Sequence, residues 1–238
     1  MIVDVSEYKK SMSMNRSDFW AGVRAEFPLL VGVFPFGLIY GVLAMDAGLT
    51  SAAAQAMSSI VFAGSSQFLT AELVHDAAPG LVIVLTIAIV NLRHMLYSAS
   101  LAPYLKHLPV RWKALLSYLL TDEAYAVTVT NYEKGGVTPS NHWYFLGAGL
   151  ALWSTWQVST TIGIFLGETL PSDWPLDFAL PLTFIAIVVP VLRDRPAIAA
   201  AISAGVIALL AYSLPYKLGL ICAALVGIAV GTLLEARK

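Results

Sequence analysis

Long apolar runs separated by short polar or Gly/Pro-marked breaks fill the chain from about residue 27 to residue 234. At roughly 20 residues per spanning helix, they divide into eight segments, at about 27–47, 51–74, a third that follows Pro79-Gly80 and ends before Pro103, then 112–132, 143–170, 178–192, 197–212 and 216–234. Three of these segments carry polar groups at their centres. Segment 2 reads AGSSQF over residues 63–68, segment 3 sets Asn91, Arg93 and His94 inside IVLTIAIVNLRHMLYSASL, and segment 4 holds Thr121, Asp122 and Glu123. An arginine near a bilayer centre costs ~2.5 kcal/mol or more, so Arg93 needs partners or a wet cavity. Small and hydroxylated residues at the centre of segment 2 suit a broken helix, whose freed backbone groups need side chains or water.

The remaining segments are marked by packing features. Pro28 and Pro35 should bend segment 1. The pairs Gly37/Gly41, Gly163/Gly167 and Gly227/Gly231 have the small-xxx-small spacing that lets helices approach closely. GLIYG at 37–41 and GIFLG at 163–167 hint at an internal repeat, although such patterns recur by chance in apolar helices. Residues 1–25 form a polar N-terminal segment with a short interfacial helix, SDFWAGVRAEF, and residues 26–235 a single transmembrane transport domain. No short hydrophobic stretch followed by a small-residue cleavage site opens the chain, so no cleaved signal peptide is expected.

Composition fits this reading. Of 238 residues, 58% are hydrophobic and 12% charged, against about 25% charged in a soluble domain, and mean hydropathy is +0.75. The formal net charge of −1 gives no basic footprint for nucleic acid. The lone Cys222 rules out an intramolecular disulfide. The basic patches at the N-terminus, 106–113, 193–195 and 237–238 should all lie on the cytoplasmic side. Eight full spans would put 106–113 outside, whereas six full spans with segments 2 and 4 broken or re-entrant restore the rule. The expected fold is therefore an all-α polytopic membrane protein of six to eight membrane segments.

Polar groups converging at one depth on broken helices make a midplane solute site. Helical spacing puts Asn91, His94 and Ser98 on one face, and Arg93, Tyr97 and Ser100 on the next. Asp122 and Glu123 are the natural counter-charges for Arg93. Being consecutive, they point about 100° apart and cannot both take one guanidinium well, which leaves one acid free to face a cavity and carry a proton. A free amino acid fits such opposed charges, its carboxylate toward Arg93 and its ammonium toward Asp122 or Glu123, with its apolar side chain near Phe62, Phe68, Trp153 or Trp156. The candidate site is Ser65, Ser66, Gln67, Asn91, Arg93, His94, Tyr97, Asp122, Glu123, Trp153 and Trp156. A purely structural ion pair tying segments 3 and 4 together is the plainer reading of Arg93. No metal set or cofactor motif is expected.

FAGSSQF at 62–68, NLRHMLYSASL at 91–101, LTDEAYA at 120–126, LWSTW at 152–156 and ALPLTF at 179–184 resemble the AzlC family of branched-chain amino-acid permeases. The resemblance implies the large subunit of a bacterial inner-membrane exporter of valine-like amino acids and analogues, working with a small AzlD-type membrane subunit. Asn91 departs from relatives that have an aspartate there, which makes Arg93 more dependent on segment 4. Two other classes compete. A polar-solute channel should show polar tracks along a pore rather than clusters at one depth. An intramembrane serine hydrolase could pair Ser65 or Ser66 with His94, but Phe68 stands where GxSxG needs glycine. HExxH is absent, and an enzyme is not expected.

Overall fold

The computed structural model describes residues 5–135, 140–169, 192, 194–214 and 218–236. All regular structure among them is helical: α1 (Val5–Asp46), α2 (Ser51–Val61), α3 (Gly64–His75), α4 (Gly80–Val90), α5 (Leu92–Leu105), α6 (Val110–Tyr118), α7 (Asp122–Gly135), α8 (Asn141–Thr169), α9 (Arg195–Leu210) and α10 (Leu218–Glu235). Three stretches are long and apolar enough to cross a membrane, Asn15–Asp46, Gly80–Leu105 and Leu218–Glu235, and Arg195–Leu210 is a shorter apolar helix. Exposed leucine, isoleucine and valine side chains run along α4, α5, α9 and α10. That surface suits lipid and not water. The chain is an all-α polytopic membrane protein.

The polar breaks fall where the sequence concentrates them. Segment 2 divides into α2 and α3 at Phe62, whose φ of 39° is left-handed and ends α2. That conformation is costly for a residue with a side chain, but Phe62 is buried and packs on Tyr118 at 6.0 Å between ring centroids. Segment 4 divides into α6 and α7 at 119–121. There Thr121 caps α7 by accepting from the Ala124 N–H at 3.3 Å, and Asp122 and Glu123 occupy the first helical turn, where the helix dipole favours acids.

Segment 3 is also interrupted, at Asn91, between α4 and α5. The His94 N–H bonds the Asn91 carbonyl at 3.0 Å in a tightened i to i+3 turn, while the Asn91 side chain is engaged by another helix. Segment 6 up to residue 191, with ALPLTF, lies outside the described residues, as do Lys217 and the 237–238 end. The basic stretch before segment 7 supplies the α9 cap, where Asp194 accepts from the Ala197 N–H at 2.8 Å.

The fold divides into two compact units. In the first, residues 1–69 and 87–170, α1 runs on without a break through Pro28 and Pro35 and packs along α8. Small residues permit this. A Cβ on Gly22 would lie 2.0 Å from the Tyr144 carbonyl oxygen, one on Gly147 2.0 Å from that of Phe19, and one on Gly163 2.1 Å from that of Leu38. The two backbones are in contact along several turns. Farther along, α2 meets α8 through polar groups. Gln55 Nε2 donates to Gln157 Oε1 at 2.7 Å, Ser59 Oγ to the same oxygen at 2.9 Å, and Ser58 Oγ to Thr160 Oγ1 at 3.2 Å. In the second unit, residues 70–86 and 171–238, α9 packs on α10, with Gly227 against Ala200 and Ala204.

Candidate functional site

The three polar clusters share one structural feature. Ser65 to Gln67, Arg93 and His94, and Asp122 and Glu123 each stand in the first turn of a helix that restarts after a break: α3, α5 and α7. First-turn N–H groups have no partner within their helix, so such ends favour anions.

Arg93 joins the clusters. Its Nη1 lies 2.7 Å from Asp122 Oδ2, and its Nη2 donates to Ser65 Oγ at 2.6 Å. One guanidinium thus ties the starts of α3, α5 and α7. The pair is half-buried, with side chains 32% and 40% exposed. Asp122 Oδ1 and Arg93 Nε are buried with no hydrogen-bond partner among the described residues. Glu123 is half-buried, takes the Thr121 hydroxyl, and lies within electrostatic reach of Asp122 and Arg93.

The other candidates divide between this cluster and its surroundings. Ser66 Oγ donates to Asn91 Oδ1 at 2.8 Å, which fastens α3 to the break before α5. His94 Nδ1 meets the Asn91 carbonyl at 3.2 Å, and its ring lies edge-on to Tyr97. Tyr97 stacks on Tyr125 of α7 at 4.4 Å and reaches Asp122. Tyr125 in turn donates to Ser100 at 3.0 Å. Ser65 is thus engaged by Arg93, and the Nδ1 of His94 by a backbone carbonyl. Neither contact is that of a serine–histidine dyad.

Gln67 and Trp156 form a separate buried pair, in which Trp156 Nε1 donates to Gln67 Oε1 at 3.0 Å. The Trp156 ring lies beneath Gly64, where a Cβ would come within 3.0 Å of it, and stacks with Tyr40. It therefore supports the start of α3. Trp153 donates to the Tyr118 hydroxyl at 2.7 Å, and that hydroxyl donates to the Ser59 carbonyl. This hydrogen-bonded bridge links α8, α6 and α2.

A cavity of about 310 Å³ opens farther along α5. Its walls are mostly apolar, from Leu101, Leu105, Leu116, Leu120 and Phe145, and it also borders Ser98 and the two lysines Lys106 and Lys113. None of the eleven candidates lines it. Ser98 continues the Asn91–His94 face, and was the available signal. Sequence reasoning also missed Glu26, a fully buried acid on α1. The periodicity of its helix carried the clue. Gly22, Glu26, Val33, Gly37, Tyr40 and Ala44 recur at helical spacing on the buried face.

Comparisons with known proteins agree with one another. Residues 28–170 match the family described as AzlC protein. An uncharacterized membrane protein of Archaeoglobus fulgidus is 32% identical over 88% of this chain and 92% of its own. The inner membrane protein YgaZ of Escherichia coli is 25% identical over 87% and 88%. The branched-chain amino acid transport protein AzlC of Bacillus subtilis is 27% identical over 72% and 68%. No solved structure matches. With three helix starts held together by one arginine in an all-α membrane fold, and with more than half its length matched by the family, this chain belongs to the AzlC family.

Proposed function

We propose that this protein exports branched-chain amino acids and analogues across the cytoplasmic membrane, as the large subunit of a two-component system with a small AzlD-type partner. The observation that carries the reading is the Arg93 junction. A half-buried guanidinium stands beside three helix starts and two carboxyl groups, one of which, Asp122, keeps an oxygen unpartnered among the described residues. An amino acid is complementary to that arrangement. Its carboxylate meets Arg93 and the first N–H groups of α3, and its ammonium meets Asp122 Oδ1 and Glu123. Its aliphatic side chain packs on apolar walls such as those along α5, where charge would be costly. Transport follows when the broken helices expose this junction to one side and then the other, with proton movement as the driving force.

The relative from Bacillus subtilis is named for branched-chain amino acid transport, which supports the substrate class. The test is efflux of labelled valine from proteoliposomes holding the full chain, with its partner where one co-purifies. Saturable efflux that is lost in Arg93→Ala supports the reading. Unsaturable flux indifferent to Arg93 would instead indicate a pore.

A further inference from the structure

The cavity between α5 and α6 has the form of a trough in the first unit. Its floor is apolar and buried, made by Leu101 and Leu105 of α5, Leu116 and Leu120 in and just beyond α6, and Phe145 of α8. Its rim is exposed. Ser98, Ala102 and Lys106 follow one another four residues apart along α5 and its C-cap, and Lys113 and Ser117 do so on α6.

The charge lies at one end of this trough. The apolar stretch Gly80–Leu105 stops immediately before Lys106, and α6 leads away from the connector at Val110. Both lysines therefore stand where the membrane-spanning part gives way to polar chain. Trp112, next to Lys113, packs on Trp143 at 5.1 Å and on His142 at 4.6 Å between ring centroids, and tryptophan favours the headgroup level of a bilayer. From Lys106 the rim runs inward to Ser98 over about 12 Å, at 1.5 Å per helical residue.

Lys113 Nζ donates to the Lys106 carbonyl at 2.8 Å, an interaction that caps the end of α5. Capping uses one of the three N–H bonds of an ammonium. Two remain on Lys113, and Lys106 is not needed for the cap. Among the described residues neither lysine is in an ion pair. The surrounding sequence supplies no counter-charge, since no acid occurs between Asp76 and Asp122, while His107 and Arg111 add to the basic connector. An amino acid is not complementary to the trough as a whole, because its ammonium would meet two cations and no carboxylate. A molecule that is anionic at one end and apolar behind it matches both parts.

We propose that this trough binds one anionic phospholipid of the surrounding bilayer, its phosphate held by Lys106 and Lys113 and an acyl chain laid along the leucines and Phe145. Lysines near a membrane surface attract anionic headgroups, and the apolar floor gives the chain a place that water would not fill. The bound lipid would fasten α5 to α6 and so brace the helix that carries Arg93. This site is independent of the transport reading.

The test is native mass spectrometry of the delipidated full chain in detergent, titrated with phosphatidylglycerol or with phosphatidylcholine of the same acyl chains. Wild type should retain one phosphatidylglycerol, preferred about tenfold or more over phosphatidylcholine. Lys106→Gln with Lys113→Gln should weaken phosphatidylglycerol binding about 25-fold, roughly fivefold for each lysine, and leave phosphatidylcholine unchanged. If the double variant does not fold, Lys106→Gln alone should show the fivefold loss. Ala102→Phe, which fills the trough without changing its charge, should also weaken binding. Lys134→Gln, an exposed lysine outside the cavity, should not. Equal retention of the two lipids, or of phosphatidylglycerol by wild type and the lysine variants, would overturn the proposal. Binding unaffected by Ala102→Phe, or displaced by inorganic phosphate at equal concentration, would reduce the site to a surface anion contact and overturn it too. Displacement of the lipid by valine would mark the trough as part of the substrate path instead.

Discussion

Arg93 satisfies two partners in two directions with two nitrogens, Ser65 through Nη2 and Asp122 through Nη1. A lysine ammonium is a point charge on a flexible stem and cannot reproduce that fork. Arg93→Lys should therefore retain the protein's fold and lower saturable valine flux by about tenfold or more, a loss of ~1.4 kcal/mol or greater. The two neighbouring acids should not behave alike. Asp122→Asn leaves the guanidinium without its counter-charge. Breaking a fully buried pair costs ~3–5 kcal/mol, but these side chains are 32% and 40% exposed, which reduces the expected loss to about 1–3 kcal/mol. Glu123 holds no direct ion pair among the described residues, so Glu123→Gln should shift the thermal midpoint little and mainly reduce flux. Thermal unfolding in detergent beside proteoliposome flux would check this. Equal, purely destabilising effects would make the Arg93 junction a structural pin.

At the scale of elements, the α1–α8 pairing decides whether the junction forms, because α8 also carries Trp156 beneath the start of α3. The small-xxx-small spacing at 37–41 and 163–167 predicted close packing, and the structure puts the two patterns against each other. A Cβ on Gly41 would come 2.5 Å from the Thr160 carbonyl oxygen, and one on Gly163 2.1 Å from that of Leu38. The obstructing atoms are backbone, so a side chain cannot swing aside. Gly163→Val should force the helices apart at a cost above about 3 kcal/mol, seen as loss of monodisperse protein on size-exclusion chromatography. Gly32, on α1, has nothing within 4 Å of a Cβ, and Gly32→Ala should leave stability unchanged or raise it by up to about 1 kcal/mol.

For the molecule as a whole, the expected selectivity follows from an aliphatic environment beside a zwitterion-binding junction. An apolar pocket distinguishes one methylene by only ~1–3 kcal/mol. Leucine, isoleucine and methionine should thus compete with labelled valine in reconstituted vesicles, whereas glutamate and lysine, whose second charge would be desolvated, should not. Competition by all amino acids alike would remove the apolar contribution from the reading.

The hydrophobic pattern by itself determined the all-α membrane class and most segment limits, because a bilayer demands long apolar helices and penalises any polar interruption. The same pattern marked the breaks in segments 2 and 4, since AGSSQF and TDE are too polar to sit in an unbroken apolar span. It did not reveal the break at Asn91, which depends on a side chain from another helix holding that residue. Nor could it choose between Asp122 and Glu123 as the partner of Arg93. Both carry the same charge at nearly the same position, and only the packing of α5 against α7 fixes which oxygen arrives at 2.7 Å. Glu26 is the clearest case of this division. In the sequence it belongs to a polar stretch of an interfacial helix, and its complete burial arises from the glycines that bring α1 onto α8. Burial is a property of two surfaces, and one helix's sequence records only one of them.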